Sequence, residues 1–379
     1  MKKIISLGIE STAHTFGVGI IDNSGKIYAN VKKQYTAETK GEGIRPYDAS
    51  IFHFQNAMDV LKQAFSESNL TIDDITVISF ARSPGLGPCL SVGATFARSL
   101  SLKYNKPIVG VNHCVAHLEI GKTLMKAKDP LFIYTSGANT QIIAKDNKRY
   151  KILGETLDIG LGNLFDSFAR DLGFGFPGGP ILDKMYFQSN NYIPLPYSVK
   201  GMDIVFSGLL TSSRKLIGKV KTEDLVYSFM HTAYAMVLEV CERALSYTKK
   251  KEIMVIGGVA ASKALKEMLE SFSKQRNIKL FIPPVSVCLD NGVMIADLGL
   301  KHFIYDKKQK MKDTVINPEE RTDQIIINWW ILNMFKRIKF KTKDFFNNTS
   351  LGVSLRERKL KKIREERLKE EKLKRDLKK

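Results

Sequence analysis

Two histidines four residues apart are the side chains of this sequence best suited to metal chemistry. His113 and His117 follow an apolar run, residues 107–111, that predicts a buried strand, and Asn112 is a good helix N-cap. On a helix that continues to about Met125, the two imidazoles share one face with Cβ atoms roughly 6 Å apart. This spacing lets both rings reach one metal ion. It equally describes two helical histidines whose nitrogens bond to backbone or water.

The residues around these histidines narrow the kind of metal site. The zinc-protease motif places a general-base glutamate directly after the first histidine, but Cys114 stands there in this chain. A zincin protease is therefore disfavoured. A carboxylate from a distant segment is available, because Asp290 ends a strand-like run and precedes a helix through Lys301. Asp290 suits either a metal ligand or a helix N-cap, and the sequence leaves both roles open.

Small polar turns follow three predicted buried strands. Backbone N–H groups and hydroxyls in such turns suit phosphate or carboxylate oxygens, which makes Glu10, Ser11 and Thr12 phosphate-loop candidates. The first two turns each lead into a returning strand, so a hairpin with a Ser/Thr/Gly turn occurs twice. Any one of the turns is also an ordinary connection. The strands and turns are 3–9 with ESTAHT (10–15), 131–135 with SGANT (136–140), and 253–256 with GGVAAS (257–262).

Length and charge limit the class of protein. A chain of 379 residues with 44% hydrophobic residues has room for two domains of ordinary size and an appendage. The net charge is +20, and residues 336–379 contribute +11 of it through 18 Lys/Arg against 7 Asp/Glu. A mildly basic globule with a strongly basic tail indicates a polyanionic partner, most often nucleic acid. A solvated lysine-rich tail is the alternative.

Cysteine usage and hydropathy indicate the compartment. The four cysteines form no CxxC pair, which favours a reducing environment and disfavours a cysteine-built zinc site. The N-terminal apolar run breaks at Glu10, so it does not read as a signal peptide. No stretch approaches the roughly 20 apolar residues that a membrane span needs. We therefore predict cytoplasmic localisation and no membrane partner.

Nine ordered motifs together resemble the tRNA N6-adenosine threonylcarbamoyltransferase family. This family comprises the bacterial TsaD proteins and the archaeal and eukaryotic catalytic subunit of the KEOPS complex, formerly labelled O-sialoglycoprotein endopeptidase. The similarity runs from about Lys3 to Trp329, and Tyr134 with the NHC form of the histidine motif favours the archaeal/eukaryotic branch. The motifs are GIEST (8–12), PGLGPCL (84–90), VNHCVAH (111–117), YTSGANTQ (134–141), DIGLGN (158–163), PGGP (177–180), FSGLLT (206–211), GGVAA (257–261) and CLDNG (288–292).

The resemblance implies an α/β fold of the actin/sugar-kinase/Hsp70-like (ASKHA) type, in which two related lobes close on a central cleft. Residues 1–125 would form the N-terminal lobe, and residues 126–330 the second lobe with an inserted helical subdomain at about 155–245. Residues 331–379 have no counterpart in the usual family pattern. Glu/Lys pairs at i,i+4 make a basic helical tail plausible there, and a solvated helix and an arm that binds the tRNA backbone both remain open.

The resemblance also implies a reaction. One divalent metal, Fe²⁺ or Zn²⁺, would be held by His113, His117, Asp290 and Tyr134. The enzyme would move the threonylcarbamoyl group of L-threonylcarbamoyl-adenylate onto N6 of the adenosine adjacent to the anticodon, in tRNAs reading codons that begin with A, and release AMP. No residue is identified as the general base. Implied substrate contacts are Tyr134, Thr135, Ser136, Gly137 and Ala138 near the phosphate and metal, and Asp166, Gly179, Asp183 and Ser262 at the adenosine end.

The implied partners are tRNA and KEOPS-type subunits, namely a small kinase, a dimerising subunit and others. Two other functions remain in consideration. A small-molecule kinase of the same fold would use Mg²⁺ with carboxylates, so the two-histidine ligand set disfavours it. A non-catalytic tRNA-binding or scaffold subunit is favoured by the basic tail.

The sequence departs from the family pattern at several positions. Ser262 stands where the family usually has Asn, and a serine is shorter and lacks the amide group. Ala138 and Ser83 each replace a usual Gly, and Ser91 replaces a usual Arg. Of the family's paired histidines near residue 50, only His53 is present, which we predict to be a core or helix-surface residue. None of these changes affects the four implied metal ligands.

Overall fold

The computed structural model describes residues 3–36, 44–137, 139–306 and 309–329. The chain divides into one unit that ends at Ile326 and a second that begins at Ile327, of which only residues 327–329 are described. The basic tail predicted at 331–379 lies outside the described residues. All elements below belong to the first unit.

The element bounds are as follows. The strands are β1 (Ile5–Glu10), β2 (Thr15–Asp22), β3 (Ile27–Gln34), β4 (Val77–Ser83), β5 (Ile108–Asn112), β6 (Leu131–Thr135), β7 (Thr140–Asp146), β8 (Arg149–Glu155), β9 (Val199–Lys200), β10 (Asp203–Ile204), β11 (Glu252–Ile256) and β12 (Lys279–Phe281). The helices are α1 (Pro46–Ser68), α2 (Gly87–Lys103), α3 (His113–Met125), α4 (Leu161–Asp171), α5 (Gly179–Tyr186), α6 (Ser207–Leu216), α7 (Thr222–Thr248), α8 (Lys263–Arg276), α9 (Val285–Cys288) and α10 (Gly292–Tyr305). Short 3₁₀ turns lie at Ile72–Asp74, Gly258–Ala261, Met311–Asp313 and Thr322–Gln324.

Two five-stranded mixed sheets share one topology. The first has the order β3-β2-β1-β4-β5 and the second the order β8-β7-β6-β11-β12. In each sheet the first three strands form an antiparallel meander, and the two later strands add in parallel. Each sheet has its own apolar core, the first with α1 and α2 and the second with α4 to α8. The duplication predicted from the two hairpins is therefore present.

The buried strands read as apolar runs because helices cover both faces of the sheets. Every residue of β1 and of β6 is buried. Helix α10 packs directly on β1 and β2, and it does so at glycines. A Cβ on Gly8 would lie 2.2 Å from the backbone N of Ala296, and one on Gly19 would lie 2.1 Å from the backbone N of Val293. This close approach fixes the start of α10, and hence Asp290, above the end of β1.

The structure confirms the helix predicted after Asn112 and the strands predicted around the three polar turns. It adds β3 and β8, the third strands of the two meanders. The apolar pattern did not reveal them, because buried residues in both strands are separated by exposed or half-buried ones. Helices α4 to α7 occupy the region of the predicted insertion, while the domain boundaries stay a prediction. Among the described helices, none combines the length and the apolar character that a membrane span requires.

Candidate metal centre

The first two turns of α3 carry the two histidines. Asn112 ends β5 and caps the helix, since its side-chain Oδ1 accepts a hydrogen bond from the backbone N–H of Val115 at 3.1 Å. His113 and His117 then project from one face, with ring centroids 4.7 Å apart. Both side chains are buried. The local geometry is therefore the one that the spacing predicted.

Asp290 meets the two histidines from the other side. Its Oδ1 lies 3.4 Å from Nε2 of His113 and 3.2 Å from Nε2 of His117. Asn291, and not Asp290, caps α10, because the Asn291 Oδ1 accepts from the backbone N–H of Met294 at 3.0 Å. Of the two roles that the sequence left open for Asp290, capping thus belongs to its neighbour, and the Asp290 carboxylate is directed at the histidines.

These three groups fit a metal ion. Their ligand atoms all lie within 4.8 Å of one another. Ligands bound at about 2.1 Å in tetrahedral geometry lie about 3.4 Å apart, close to the observed separations. Two imidazole nitrogens and one carboxylate oxygen suit zinc or iron better than magnesium, which prefers oxygen. Tyr134, at the end of β6, lies beside this set with its ring centroid 5.6 Å from that of His117.

Glu10 contacts the His113 ring at the nitrogen that does not face Asp290. The Glu10 Oε2 lies 2.9 Å from Nδ1 of His113, on the ring edge opposite the one that faces Asp290. Thr12 donates to Glu10 Oε1 from its backbone N–H at 2.7 Å and from its hydroxyl at 2.5 Å. A carboxylate that accepts the distal N–H of a metal-binding histidine fixes its tautomer and orientation. Sequence reasoning missed this contact; the available signal was an acidic residue at the end of a fully buried strand.

The charged groups of the cluster shift one another's pKa values. Burial lowers the pKa of His113, but the carboxylates of Glu10 and Asp290 outweigh it and raise that pKa well above its ordinary value. Burial lowers the pKa of His117. Burial raises the pKa of Asp290, yet the two histidines hold it well below its usual range. Without a metal the site therefore keeps a proton on His113, which a bound cation must displace. Nδ1 of His117 is buried and has no hydrogen-bond partner among the residues that the structure describes.

Two turns of the second sheet pack together next to Tyr134. Gly257 adopts φ +94°, and a Cβ there would lie 2.2 Å from the carbonyl oxygen of Thr135, so only glycine allows this approach. The turn after β6 is closed by a hydrogen bond from Ser136 N to Asn139 O at 2.8 Å. The Gly137 carbonyl oxygen accepts from the backbone N–H of Asn163 at 3.0 Å, at the start of α4. Ala138 lies outside the described residues.

The residues predicted at the adenosine end form two separate contacts. Asp166 Oδ1 accepts from the backbone N–H groups of Gly178 at 2.7 Å and Gly179 at 3.3 Å, at the start of α5. Asp183 accepts from the Ser262 hydroxyl at 2.6 Å and from two backbone N–H groups of α8. Ser262 also caps α8 through the backbone N–H of Leu265 at 3.1 Å. Both carboxylates thus hold helix N-termini in place, and their contacts with substrate stay predictions.

The side chains of the three phosphate-loop candidates point in different directions. Glu10 and Thr12 face His113, whereas the Ser11 hydroxyl points at α2, where a Cβ on Gly93 would lie 1.8 Å from it. Their phosphate-binding role stays a prediction. A cation that the sequence did not reveal is Lys32 on β3, whose Nζ donates to the carbonyl oxygen of Asp290 at 3.1 Å.

A duplicated two-sheet α/β fold defines a member of the ASKHA class, and the His113/His117/Asp290 cluster in it is suited to hold a metal ion. The crystal structure of Thermococcus kodakarensis HypF has this fold at a TM-score of 0.59 and 14% identity, covering 83% of this chain and 50% of that one. At this identity the likeness concerns the fold alone, and it confirms the fold class predicted from the motifs.

Sequence comparisons identify the family. The family model described as TsaD, tRNA N6-adenosine threonylcarbamoyltransferase, matches residues 26–297. The transferase of that name from Thermococcus sibiricus is 50% identical over 328 residues, which is 86% of this chain and 100% of the relative. A probable bifunctional tRNA threonylcarbamoyladenosine biosynthesis protein from Methanosphaera stadtmanae is 48% identical over 328 residues, 86% of this chain and 61% of that protein. This chain belongs to the tRNA N6-adenosine threonylcarbamoyltransferase family, and the predicted transferase class is confirmed.

Proposed function

We propose that this protein transfers the threonylcarbamoyl group of L-threonylcarbamoyl-adenylate to N6 of the adenosine adjacent to the anticodon, in tRNAs reading codons that begin with A, and releases AMP. The observation that carries the proposal is the convergence of His113 and His117 Nε2 on Asp290 Oδ1, in a chain that belongs to this family. A small-molecule kinase of the same fold lacks support, because the imidazole ligands are unlike the oxygen ligands of Mg²⁺.

The reaction is an acyl transfer from an activated mixed anhydride. N6 attacks the carbamoyl carbon, the bond from that carbon to the AMP phosphate oxygen breaks, and one proton leaves N6. Because the donor is already activated, the enzyme mainly positions the reactants and stabilises the charge that develops on AMP. The base that takes the proton is not assigned. The target adenosine must leave its stack in the anticodon loop, which is how proteins read single-stranded RNA.

The residues of the centre have distinct proposed roles. His113, His117 and Asp290, with Tyr134 beside them, would hold Fe²⁺ or Zn²⁺, which would supply Lewis-acid polarisation of the carbamoyl or phosphate oxygens. Glu10 would keep the proton of His113 on Nδ1, so that Nε2 remains directed into the site.

The turn at Thr135, Ser136 and Gly137 would receive the phosphate, since its backbone is held in shape by α4 and by Gly257. Asp166, Gly179, Asp183 and Ser262 would line the adenosine end.

The proposed partners are tRNA and KEOPS-type subunits. The bifunctional relative carries sequence beyond the part that this chain matches, which indicates that a further domain can accompany this activity. The basic residues 336–379 would bind the tRNA backbone. In that case, removing residues 331–379 should weaken tRNA binding and reduce its dependence on salt concentration.

The test is transfer of labelled threonylcarbamoyl from separately prepared adenylate to a tRNA that reads an ANN codon. The wild type is compared with His113→Ala/His117→Ala and with His302→Ala as a matched control, since His302 lies at the far end of α10 and pairs with Asp306. We expect transfer by the wild type and the control, and at least a hundredfold loss in the double variant.

Three results would contradict the proposal. No transfer by the wild type, even with a small kinase and a dimerising subunit added, would exclude the enzymatic role. Tight tRNA binding without transfer would leave the scaffold function in its place. Full transfer by the double variant would exclude the metal centre as the active site.

A further inference from the structure

The segment that follows α10 runs back across the first sheet and reaches the second. Near its start, Gln309 Oε1 accepts from the backbone N–H of Gly110 on β5 at 3.0 Å. Further along, Asn317 N donates to the carbonyl oxygen of Arg82 on β4 at 2.9 Å. At its end, the carbonyl oxygen of Asp323 accepts from Arg149 Nη1 on β8 at 3.4 Å. We call residues 309–324 the brace, because these contacts connect it to both sheets.

Glu320 is the buried side chain of the brace. Only 8% of Glu320 is exposed, whereas its neighbour Glu319 is exposed. The Glu320 carboxylate accepts hydrogen bonds from the Arg82 guanidinium and from the Ser83 hydroxyl, both at the end of β4. Removing a carboxylate that is buried against a guanidinium leaves an uncompensated charge, so this position has a defined electrostatic role.

The same group of residues holds Asn112. The Asn112 Nδ2 donates to the carbonyl oxygen of Glu320 at 3.2 Å and lies 3.4 Å from the Ser83 hydroxyl oxygen. Its other amide atom, Oδ1, caps α3 through Val115 N. One side-chain amide thus joins the brace to the first turn of α3. Asn112 immediately precedes His113, so the cap that this amide forms lies at the first residue of the helix that carries the two histidines.

We propose that Glu320 is a positioning residue for the metal centre: through Ser83 and Asn112 it fixes the start of α3 and thereby the convergence of His113 and His117 on Asp290. The proposal rests on the metal centre of the proposed function. Glu320 itself touches none of the three ligands. Ser83, which stands where the family usually has glycine, contributes to this positioning through its hydroxyl, which lies between Glu320 and Asn112.

Metal binding tests the proposal directly and needs neither tRNA nor adenylate. The variants are Glu320→Gln, Ser83→Ala and Asn112→Asp, with Glu319→Gln as the matched control. Asn112→Asp retains an oxygen that can cap α3 but loses the N–H group that donates to Glu320. This variant therefore tests the hydrogen bond to the brace separately from the helix cap. The probes are Zn²⁺ alone in calorimetry and Co²⁺ alone in visible absorption, which reports ligand geometry. Circular dichroism verifies that each variant is folded.

We expect about tenfold weaker Zn²⁺ binding for Glu320→Gln and Asn112→Asp, about threefold for Ser83→Ala, and less than twofold for Glu319→Gln. The Co²⁺ spectrum should change in the first two variants. If the melting temperature falls while affinity and spectrum stay those of the wild type, Glu320 only stabilises the fold and the proposal is wrong. If Glu320→Gln does not fold, the Zn²⁺ affinity of Ser83→Ala decides between the two outcomes.

A failure of the proposed function gives a different result. In that case the wild type binds Zn²⁺ and the variants weaken this binding, but no protein transfers threonylcarbamoyl to tRNA.

Discussion

The two halves of α3 carry buried charged groups with different kinds of partner. In the C-terminal half, Glu119 accepts from Lys122 at 3.0 Å and from Lys301 at 2.8 Å, and Asp297 on α10 accepts from Lys301 at 2.9 Å. The Tyr150 hydroxyl donates to Glu119 as well. Burial alone raises the pKa of Glu119, but the two lysines outweigh it and hold that pKa well below its usual range. These groups form an ion network in which each carboxylate has a lysine partner.

In the N-terminal half, the carboxylates of Glu10 and Asp290 face imidazoles instead of ammonium groups. Both histidines direct Nε2 at one oxygen of Asp290. A cation bound there would displace the proton that the metal-free site keeps on His113, whereas the lysines of the ion network keep their protons. Buried charge alone therefore does not mark a functional site. Imidazole nitrogens and a carboxylate that converge on one point are the better sign of one.

Glu119→Gln should distinguish the two halves of α3 most strongly. The change leaves Lys122 and Lys301 without their buried carboxylate, so the free energy of unfolding should fall by about 3–5 kcal/mol. The Zn²⁺ affinity of the folded protein should remain within threefold of wild type, because the lysine partners of Glu119 lie in the C-terminal half of α3 and on α10. Urea denaturation and calorimetry measure the two quantities. Glu67→Gln, an exposed control on α1, should change stability by less than about 0.5 kcal/mol. A large loss of Zn²⁺ affinity in Glu119→Gln would show that the two halves do not act separately.

A smaller effect is expected from Glu10→Gln. This change removes the carboxylate that holds the His113 Nδ1 proton, and loss of such a partner typically weakens metal binding 10–100-fold, about 1.4–2.8 kcal/mol. Zn²⁺ calorimetry measures it. Unlike Glu119→Gln, this variant should lose more in affinity than in stability, and the reverse order would show that Glu10 is a structural residue.

The smallest effect concerns Lys145, which lies near the ion network. Burial, with Lys122 and Lys250 nearby, lowers its pKa to about 7. In the unfolded chain Lys145 keeps its proton up to about pH 10.5, whereas in the folded protein it loses that proton near pH 7. The free energy of unfolding should therefore rise with pH between about 7 and 10.5. The cost of burying the charged lysine is fully present below pH 7. Lys145→Met should therefore be about 1 kcal/mol more stable than wild type at pH 6.5, with a difference that shrinks toward pH 10. Denaturant unfolding at both pH values measures this. Lys148→Met, in the exposed hairpin turn, should show no such trend.

Much of the candidate site follows from local sequence. The spacing of His113 and His117, the N-cap at Asn112 and the length of α3 are properties of a dozen consecutive residues, and the structure has all three. The duplicated hairpins are equally local. The third strands β3 and β8 were missed because a half-exposed strand at a sheet edge has a weak apolar pattern.

The partners of these local elements are distant in the chain. Glu10 is separated from His113 by 103 residues, and Ser83 from Glu320 by 237. No short-range pattern indicates such pairs. Asp290 shows the same difficulty, because a carboxylate before a helix suits capping or metal binding equally well, and only the capping by Asn291 distinguishes the two roles.

Residues that are close in the chain give most of the strands and helices, the shared face of the two histidines and, through the nine motifs, the family. The resemblance to that family implied Asp290 as a third ligand, but the approach of its Oδ1 to 3.2 Å from His117 Nε2 is a property of the packed chain. The contact of Glu10 with His113 and the ion network around Glu119 are also properties of the packed chain. Which charged groups meet depends on how elements that are distant in the chain pack together, and local sequence does not encode those distances.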